Sequence, residues 1–266
     1  MPLSLSQKQS LDQELGSLVL KAKQQQMRNG VLGRKARVAL SIDVSYSMND
    51  WYRRGKVQEM VVRFLALAIA FDDDGDIDIF AFGSDAKYCG TVNRENYHEC
   101  VKYISDGVVE INGHRITLSG TNYAPCIDLV LKHYFGDGWK NLNTGASNGF
   151  LGFGKTTGSG RPHITNGTED PVFHLFVTDG DNSDQRQTVD IVDKCSQLPM
   201  FTQFAGFGSG FHGLNQLNNM QGRYVDNAGL FTASDFNISD DELLSRMMNE
   251  FPQWLKATTS EGWYKS

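Results

Sequence analysis

The feature that most constrains this chain is the apolar run Val38-Ala39-Leu40-Ser41-Ile42, followed at once by Asp43, Ser45 and Ser47. A short aliphatic run with basic residues before it and small polar ones after it reads as a buried strand that ends in a loop. One carboxylate and two hydroxyls therefore gather at a strand's C-terminal edge. In an open α/β sheet that edge is where ligands bind, because the loops diverge there into a crevice and helix N-termini point at it. A ligand set made only of oxygens suits a hard divalent cation, Mg2+ or Mn2+, rather than zinc.

Two later stretches supply matching oxygens. The run Val172 to Val177 is another buried-strand pattern, and it ends in Thr178-Asp179-Gly180. Between the two, Ser119-Gly120-Thr121 precedes a helix in which Pro125 suits the first turn and Ile127, Val130, Leu131 and Tyr134 form one apolar face. Thr121 is thus expected at a helix entry on the same crevice. Apolar strands alternating with amphipathic helices predict an α/β fold, a Rossmann-like open and mostly parallel sheet with helices on both faces.

The set Asp43, Ser45, Ser47, Thr121 and Asp179 resembles the metal-ion-dependent adhesion site of von Willebrand factor A domains, with all five motif positions present. The resemblance is closest to the TerF-type branch linked to bacterial tellurium resistance and stress response. It is carried by Phe71-Asp-Asp-Asp-Gly75, Phe80-Ala-Phe-Gly83, Gly120-Thr-Asn-Tyr-Ala-Pro125, Arg223-Tyr-Val-Asp-Asn227 and Glu250-Phe-Pro-Gln-Trp254. It covers residues 36–257, leaving residues 1–35 as an N-terminal helical arm and 258–266 as a tail. The resemblance implies a protein-binding module with no chemistry of its own. Ser45, Ser47 and Thr121 would contact Mg2+ or Mn2+, the two aspartates would act directly or through water, and an open position would take a carboxylate from a protein partner's exposed Asp or Glu.

Composition limits the alternatives. The net charge of −6 argues against nucleic-acid binding. The charge is uneven: residues 1–56 carry ten Lys or Arg against four Asp or Glu, so the N-terminal part reads as a basic arm against an acidic body. Lys8, Asp12 and Glu14 interrupt any secretory h-region, and Val57 to Phe71 is too short to span a membrane. The four cysteines lie far apart without a CxxC spacing, as expected of a reduced cytoplasmic chain.

Element by element, Ser10 with Gln13 suggests a capping box for an arm helix bearing Leu11, Leu15, Leu18 and Ala22 and ending near Gly30 to Gly33. Strands are expected at Asp76 to Phe82, Ala86 to Val92 (an edge) and Met200 to Phe207. Helices are expected at Val57 to Phe71, Arg94 to Ile104, Gln187 to Gln197, Leu214 to Met220 and Asp240 to Ala257. Residues 137–167 form an insertion rich in Gly, Ser, Thr and Asn. Within it, Gly149 to Thr156 matches a P-loop literally but lacks the preceding strand and following helix that phosphate binding needs. Gly206-Phe-Gly208-Ser-Gly210 follows a strand, with Asp226 about where a ribose-binding acid would fall, but Phe211-His-Gly213 stands where a dinucleotide fingerprint needs its helix to open, and little chain remains for the following parallel strand. The alternative to a binding module is an enzyme: a nucleotide-binding protein, or a Mg2+-dependent phosphohydrolase with Asp43 as nucleophile. The strand-end loops offer it only Arg53, Arg54 and Lys56 to hold phosphate.

Overall fold

A computed structural model describes residues 4–71, 75–142, 170–235 and 237–263. Its centre is a six-stranded sheet containing β1 (Arg37–Asp43), β2 (Ile77–Phe82), β3 (Ala86–Val92), β7 (Val172–Thr178), β8 (Met200–Phe207) and β9 (Ala228–Ala233). The strand order is β3-β2-β1-β7-β8-β9, with every pairing parallel except the antiparallel edge β2–β3. The chain leaves β1 for β2 on one side and later returns to β7 on the other. The order thus reverses at β1, which is where such sheets open a crevice beyond their carboxyl ends.

Period-two alternation assigns the two faces. Along β7, Phe173, Leu175 and Val177 join one apolar cluster, while Val172 and Phe176 join the other. The first cluster is covered by α3 (Lys56–Phe71), α7 (Asp240–Met247) and α8 (Phe251–Ser260), the second by α4 (Ala124–Phe135), α5 (Gln185–Cys195) and α6 (His212–Asn218). The arm helix α1 (Leu5–Arg28) packs on α3 and α7 through Leu15, Leu18 and Ala22, each at most 3% exposed. Lys21 and Arg63 both pair with Asp240, at 2.9 and 3.0 Å, and tie the three helices together.

Several expectations are corrected. The arm helix is capped by Ser4, whose hydroxyl accepts from Gln7 N–H while the Gln7 amide oxygen accepts from Ser4 N–H, so the box lies six residues before Ser10. Residues expected as one helix from Arg94 to Ile104 instead form a short 3-10 turn, Tyr97–Glu99, and the strand β4 (Val101–Ser105). With β5 (Val108–Ile111) and β6 (His114–Thr117), β4 makes a separate antiparallel sheet. Its two hairpin turns are Asp106-Gly107 and Asn112-Gly113, all four residues at positive φ, the signature of type I′ turns. The last helix is two: Pro252 cannot extend a preceding helix, and the chain restarts at α8. The helices expected from Gln187 and Leu214 each begin two residues earlier, and β9 went unforeseen because Gly229 interrupts its pattern. The P-loop match at Gly149 to Thr156 and most of the 137–167 insertion lie outside the described residues. All four cysteines are free and buried, and among the described residues no helix is long and apolar enough to cross a membrane.

Candidate functional site at the sheet's carboxyl edge

Parallel register fixes the centre of the site. Ile42 pairs with Val177, so Asp43 and Thr178 meet one step further along β1 and β7. Asp43 is fully buried, and both its carboxylate oxygens are engaged: Ser45 N–H donates to Oδ1 at 2.7 Å and the Thr178 hydroxyl to Oδ2 at 2.6 Å. Tyr52, on the short helix α2 (Asn49–Arg53), donates to the Asp43 carbonyl at 2.8 Å. Burial pushes the Asp43 carboxyl up to about 6; the hydrogen bonds from Thr178 and Ser45 oppose that rise, and the charge of Asp179 adds to it. Burial also raises Asp179, against the hydrogen bond from Ser47. Two carboxylates share one crevice, and each is costly to ionise there.

The serines link the two aspartates. Ser45 Oγ lies 2.9 Å from Ser47 Oγ, and Ser47 donates to Asp179 Oδ1 at 2.7 Å. Neighbouring oxygens of an octahedral shell at Mg2+ distances lie about 2.9 Å apart, so these two hydrogen-bonded separations are ones a hard-cation shell could also take up. Among the described residues no group of three or more His, Cys, Asp or Glu side chains could hold an ion; the candidate centre rests on two carboxylates and on hydroxyls.

Thr121 lies on the loop that enters α4, half-buried, and among the described residues its hydroxyl makes no hydrogen bond to the Asp43–Ser47–Asp179 chain. Its backbone is held from both sides. On the β2 side, the Ser119 hydroxyl accepts from Ser84 N–H at 2.9 Å, and Asn122 N–H donates to the Gly83 carbonyl at 2.8 Å. A Cβ on Gly83 would sit 2.1 Å from Ser119 Oγ, so only glycine permits this approach. On the β7 side, Ser183 N–H donates to the Thr121 carbonyl at 3.0 Å.

The groups that orient these oxygens were not read from the sequence. Besides Thr178 and Tyr52, the Tyr123 hydroxyl donates to the Gly180 carbonyl, pinning the residue after Asp179. Asp181 accepts from His212 and Gly213 N–H at the start of α6, and Asp184 from Tyr123 and Ala124 N–H at the start of α4. Of the three acids in the loop from 179 to 184, only Asp179 is left facing the serines. The one available signal was the density of acids in Asp179-Gly-Asp-Asn-Ser-Asp184, which says nothing about which of them caps a helix.

An open, mostly parallel sheet with helices on both faces and an oxygen-rich loop cluster at the switch beside its central strand defines the von Willebrand A class. Within it, the model of the von Willebrand A domain found in the C terminus of TerF matches residues 35–142 and 161–264, and the chain belongs to that family. An uncharacterised protein of Bacillus subtilis, YcbR, is 29% identical over 230 residues, spanning 85% of this chain and 80% of its own. Among solved structures, proximal thread matrix protein 1 of the mussel byssus aligns at 15% identity and a TM-score of 0.46 over 82% of this chain; the chain spans about half (47%) of that protein. Another crystal structure of the mussel protein has zinc in its metal-ion-dependent adhesion motif. The manganese-loaded TRAP protein of Plasmodium vivax aligns at 16% identity and a TM-score of 0.46, covering 84% of this chain and 75% of its own.

Proposed function

We propose that this chain is a divalent-cation-dependent protein-binding module of the tellurium-resistance and stress-response type, acting in the cytoplasm and without catalytic activity of its own. Asp43, Ser45, Ser47, Thr121 and Asp179 hold Mg2+ or Mn2+. The observation that carries the reading is the run of oxygens from Ser45 through Ser47 to Asp179, spaced 2.9 and 2.7 Å apart at the carboxyl edge of the sheet. A bound cation supplies an electrophilic position for the carboxylate of a partner's exposed Asp or Glu. The protein's own residues do the rest: Thr178 and Ser45 N–H orient Asp43, Tyr52 fixes the backbone beneath it, Ser47 donates to Asp179, and the bonds of Asn122 and Ser183 hold the backbone around Thr121. Membership of the TerF family supports the assignment to this module type. The phosphohydrolase reading gains nothing from the geometry, since Arg53 and Arg54 both pair with Asp50, at 2.5 and 2.7 Å.

Calorimetric titration of the wild type and of Asp43→Ala with Mg2+ and Mn2+ tests the site. The expected result is saturable binding by the wild type that the variant loses; equal binding by both overturns the assignment. Partner capture in Mg2+ and in EDTA, read by mass spectrometry, tests the role. A captured partner should depart with chelator and with mutation of one of its acids, at a cost of about 2 to 5 kcal/mol.

A further inference from the structure

Asp184 stands at an unusual junction. It is the N-cap residue of α5, yet its side chain caps no backbone N–H of that helix; it accepts from the Thr188 hydroxyl at 3.3 Å and reaches to the entry of α4. There Oδ1 accepts from Tyr123 N–H at 3.0 Å and Oδ2 from Ala124 N–H at 2.8 Å, two donors that α4 would otherwise leave unsatisfied. Asn182 Nδ2 donates to Oδ1 at 2.6 Å and so orients the carboxylate. With Ser183 N–H on the Thr121 carbonyl, residues 182–184 are strapped to residues 121–124. This strap includes Thr121 itself on one side and begins three residues after Asp179 on the other.

Packing leaves part of this junction open. A groove of about 520 Å³ is bordered by Ala124, Pro125 and Trp139 on one side and by Asp184, Gln187 and Ile191 on the other. Elsewhere α4 and α5 do meet, and Ile127 and Val130 share an apolar cluster with Ile191 and Val192. The Thr121 loop is separately anchored to β2 through Gly83 and Ser84, so it does not follow the Asp179 loop if the two come apart. What spans the gap is polar: the Asp184 carboxylate on Tyr123 and Ala124 N–H, with the Ser183 N–H on the Thr121 carbonyl and the Tyr123 hydroxyl on the Gly180 carbonyl beside it.

We infer that Asp184 is a positioning residue: by capping the helix that follows Thr121, it sets the distance between Thr121 and Asp179, and with it the size of the cation the crevice accepts. This inference rests on the metal-binding reading above. Mg2+ demands near-ideal octahedral geometry at about 2.1 Å, whereas Ca2+ tolerates about 2.3 to 2.6 Å and irregular shells. A loosened gap therefore penalises Mg2+ more than Ca2+. Groups that orient a metal ligand are worth about 10- to 100-fold in affinity.

The test is titration of the full chain with Mg2+ and with Ca2+, for wild type, Asp184→Ala and Asp184→Asn, with Asp43→Ala as the site control. Asp184→Ala should lose about tenfold or more in Mg2+ affinity and less in Ca2+ affinity. Asp184→Asn, which keeps one acceptor oxygen, should fall between it and wild type, and it carries the test if the alanine variant does not fold. A cap of purely structural value would lower the melting temperature in EDTA and leave the Mg2+ to Ca2+ affinity ratio at its wild-type value, and that result overturns the inference. Loss of all metal binding in the wild type, or its persistence in Asp43→Ala, instead overturns the reading on which the inference rests.

Discussion

Replacing Asp43 by Asn should stabilise the metal-free protein while abolishing its response to cations. Asp43 is fully buried and its carboxyl is raised from 3.8 to about 6, chiefly by burial. At about 1.4 kcal/mol per pH unit, a native state that must keep this group ionised at pH 8 without a cation gives up about 3 kcal/mol. Asparagine fits the same space. Its Oδ1 still accepts from Ser45 N–H, and its amide can donate to the Thr178 hydroxyl, which then turns to the Gly180 carbonyl 3.2 Å away. The sign follows from linkage. A carboxylate with a raised native pKa contributes stability below 3.8 that is lost as pH rises through about 6. Wild type and Asp43→Asn should therefore coincide near pH 4 and diverge by pH 8, with the variant about 2 to 3 kcal/mol more stable in EDTA. Urea denaturation followed by tryptophan fluorescence between pH 4 and 8 measures the gap. In Mg2+ the order should narrow or reverse, since a ligand at a hundred times its Kd adds about 2.7 kcal/mol to the wild type alone. A gap in EDTA that is absent, negative or independent of pH would refute the argument that burial of an ionised Asp43 strains the metal-free site.

Two other groups give independent checks. His174 is fully buried, 2.7 Å from Ser41 Oγ, and burial lowers its pKa to about 3. The unfolded chain takes up a proton near 6.5 that the native chain refuses, so stability is lost as pH falls below 6.5; at pH 5 the loss is about 2 kcal/mol. His174→Asn should remove that part of the acid slope in denaturation curves compared between pH 7 and 5. For the arm helix, Leu15→Ala should cost about 2 to 5 kcal/mol because Leu15 is 1% exposed. Leu20→Ala on the same helix, 65% exposed, should stay within about 0.5 kcal/mol; equal effects would mean that α1 is not docked on α3 and α7.

The strands β1 and β7 were legible because a strand buried on both faces must be nearly continuous in apolar residues, and only a few short runs in this chain come that close, Ser41 and His174 being the buried polar exceptions. The β4–β6 sheet was not read, although Asp106-Gly107 and Asn112-Gly113 are the strongest short-range hairpin signals in the chain. Tyr97, Cys100, Val101 and Ile104 sit at helical spacing by coincidence, although Val101–Ser105 pairs as a strand leading into the first of these turns. The last helix failed in a related way: its apolar positions continue in register across Pro252, so periodicity hid a break that the missing N–H imposes.

The candidate site divides along a different line, between the proposed ligands and the groups that orient them. Asp43, Ser45 and Ser47 are neighbours in sequence at one strand end, so a linear pattern can carry them. Thr178 lies 135 residues from Asp43, and Asp184 lies 61 from Tyr123; no linear pattern relates either pair. The consequence reaches the proposed mechanism. Counted from sequence, Asp43, Asp179, Asp181 and Asp184 would place four negative charges around one divalent ion and make the site repel an acidic partner. Helix N-termini hold Asp181 and Asp184 instead, where the partial positive charge of the free N–H groups favours them. Two carboxylates then face a doubly charged cation, and the remaining donors are neutral hydroxyls. Such a centre is formally neutral rather than anionic, and an incoming carboxylate meets the cation without net repulsion. In this reading the two helix caps are as necessary to acidic-partner recognition as the ligands, because they withdraw charge that the crevice could not tolerate.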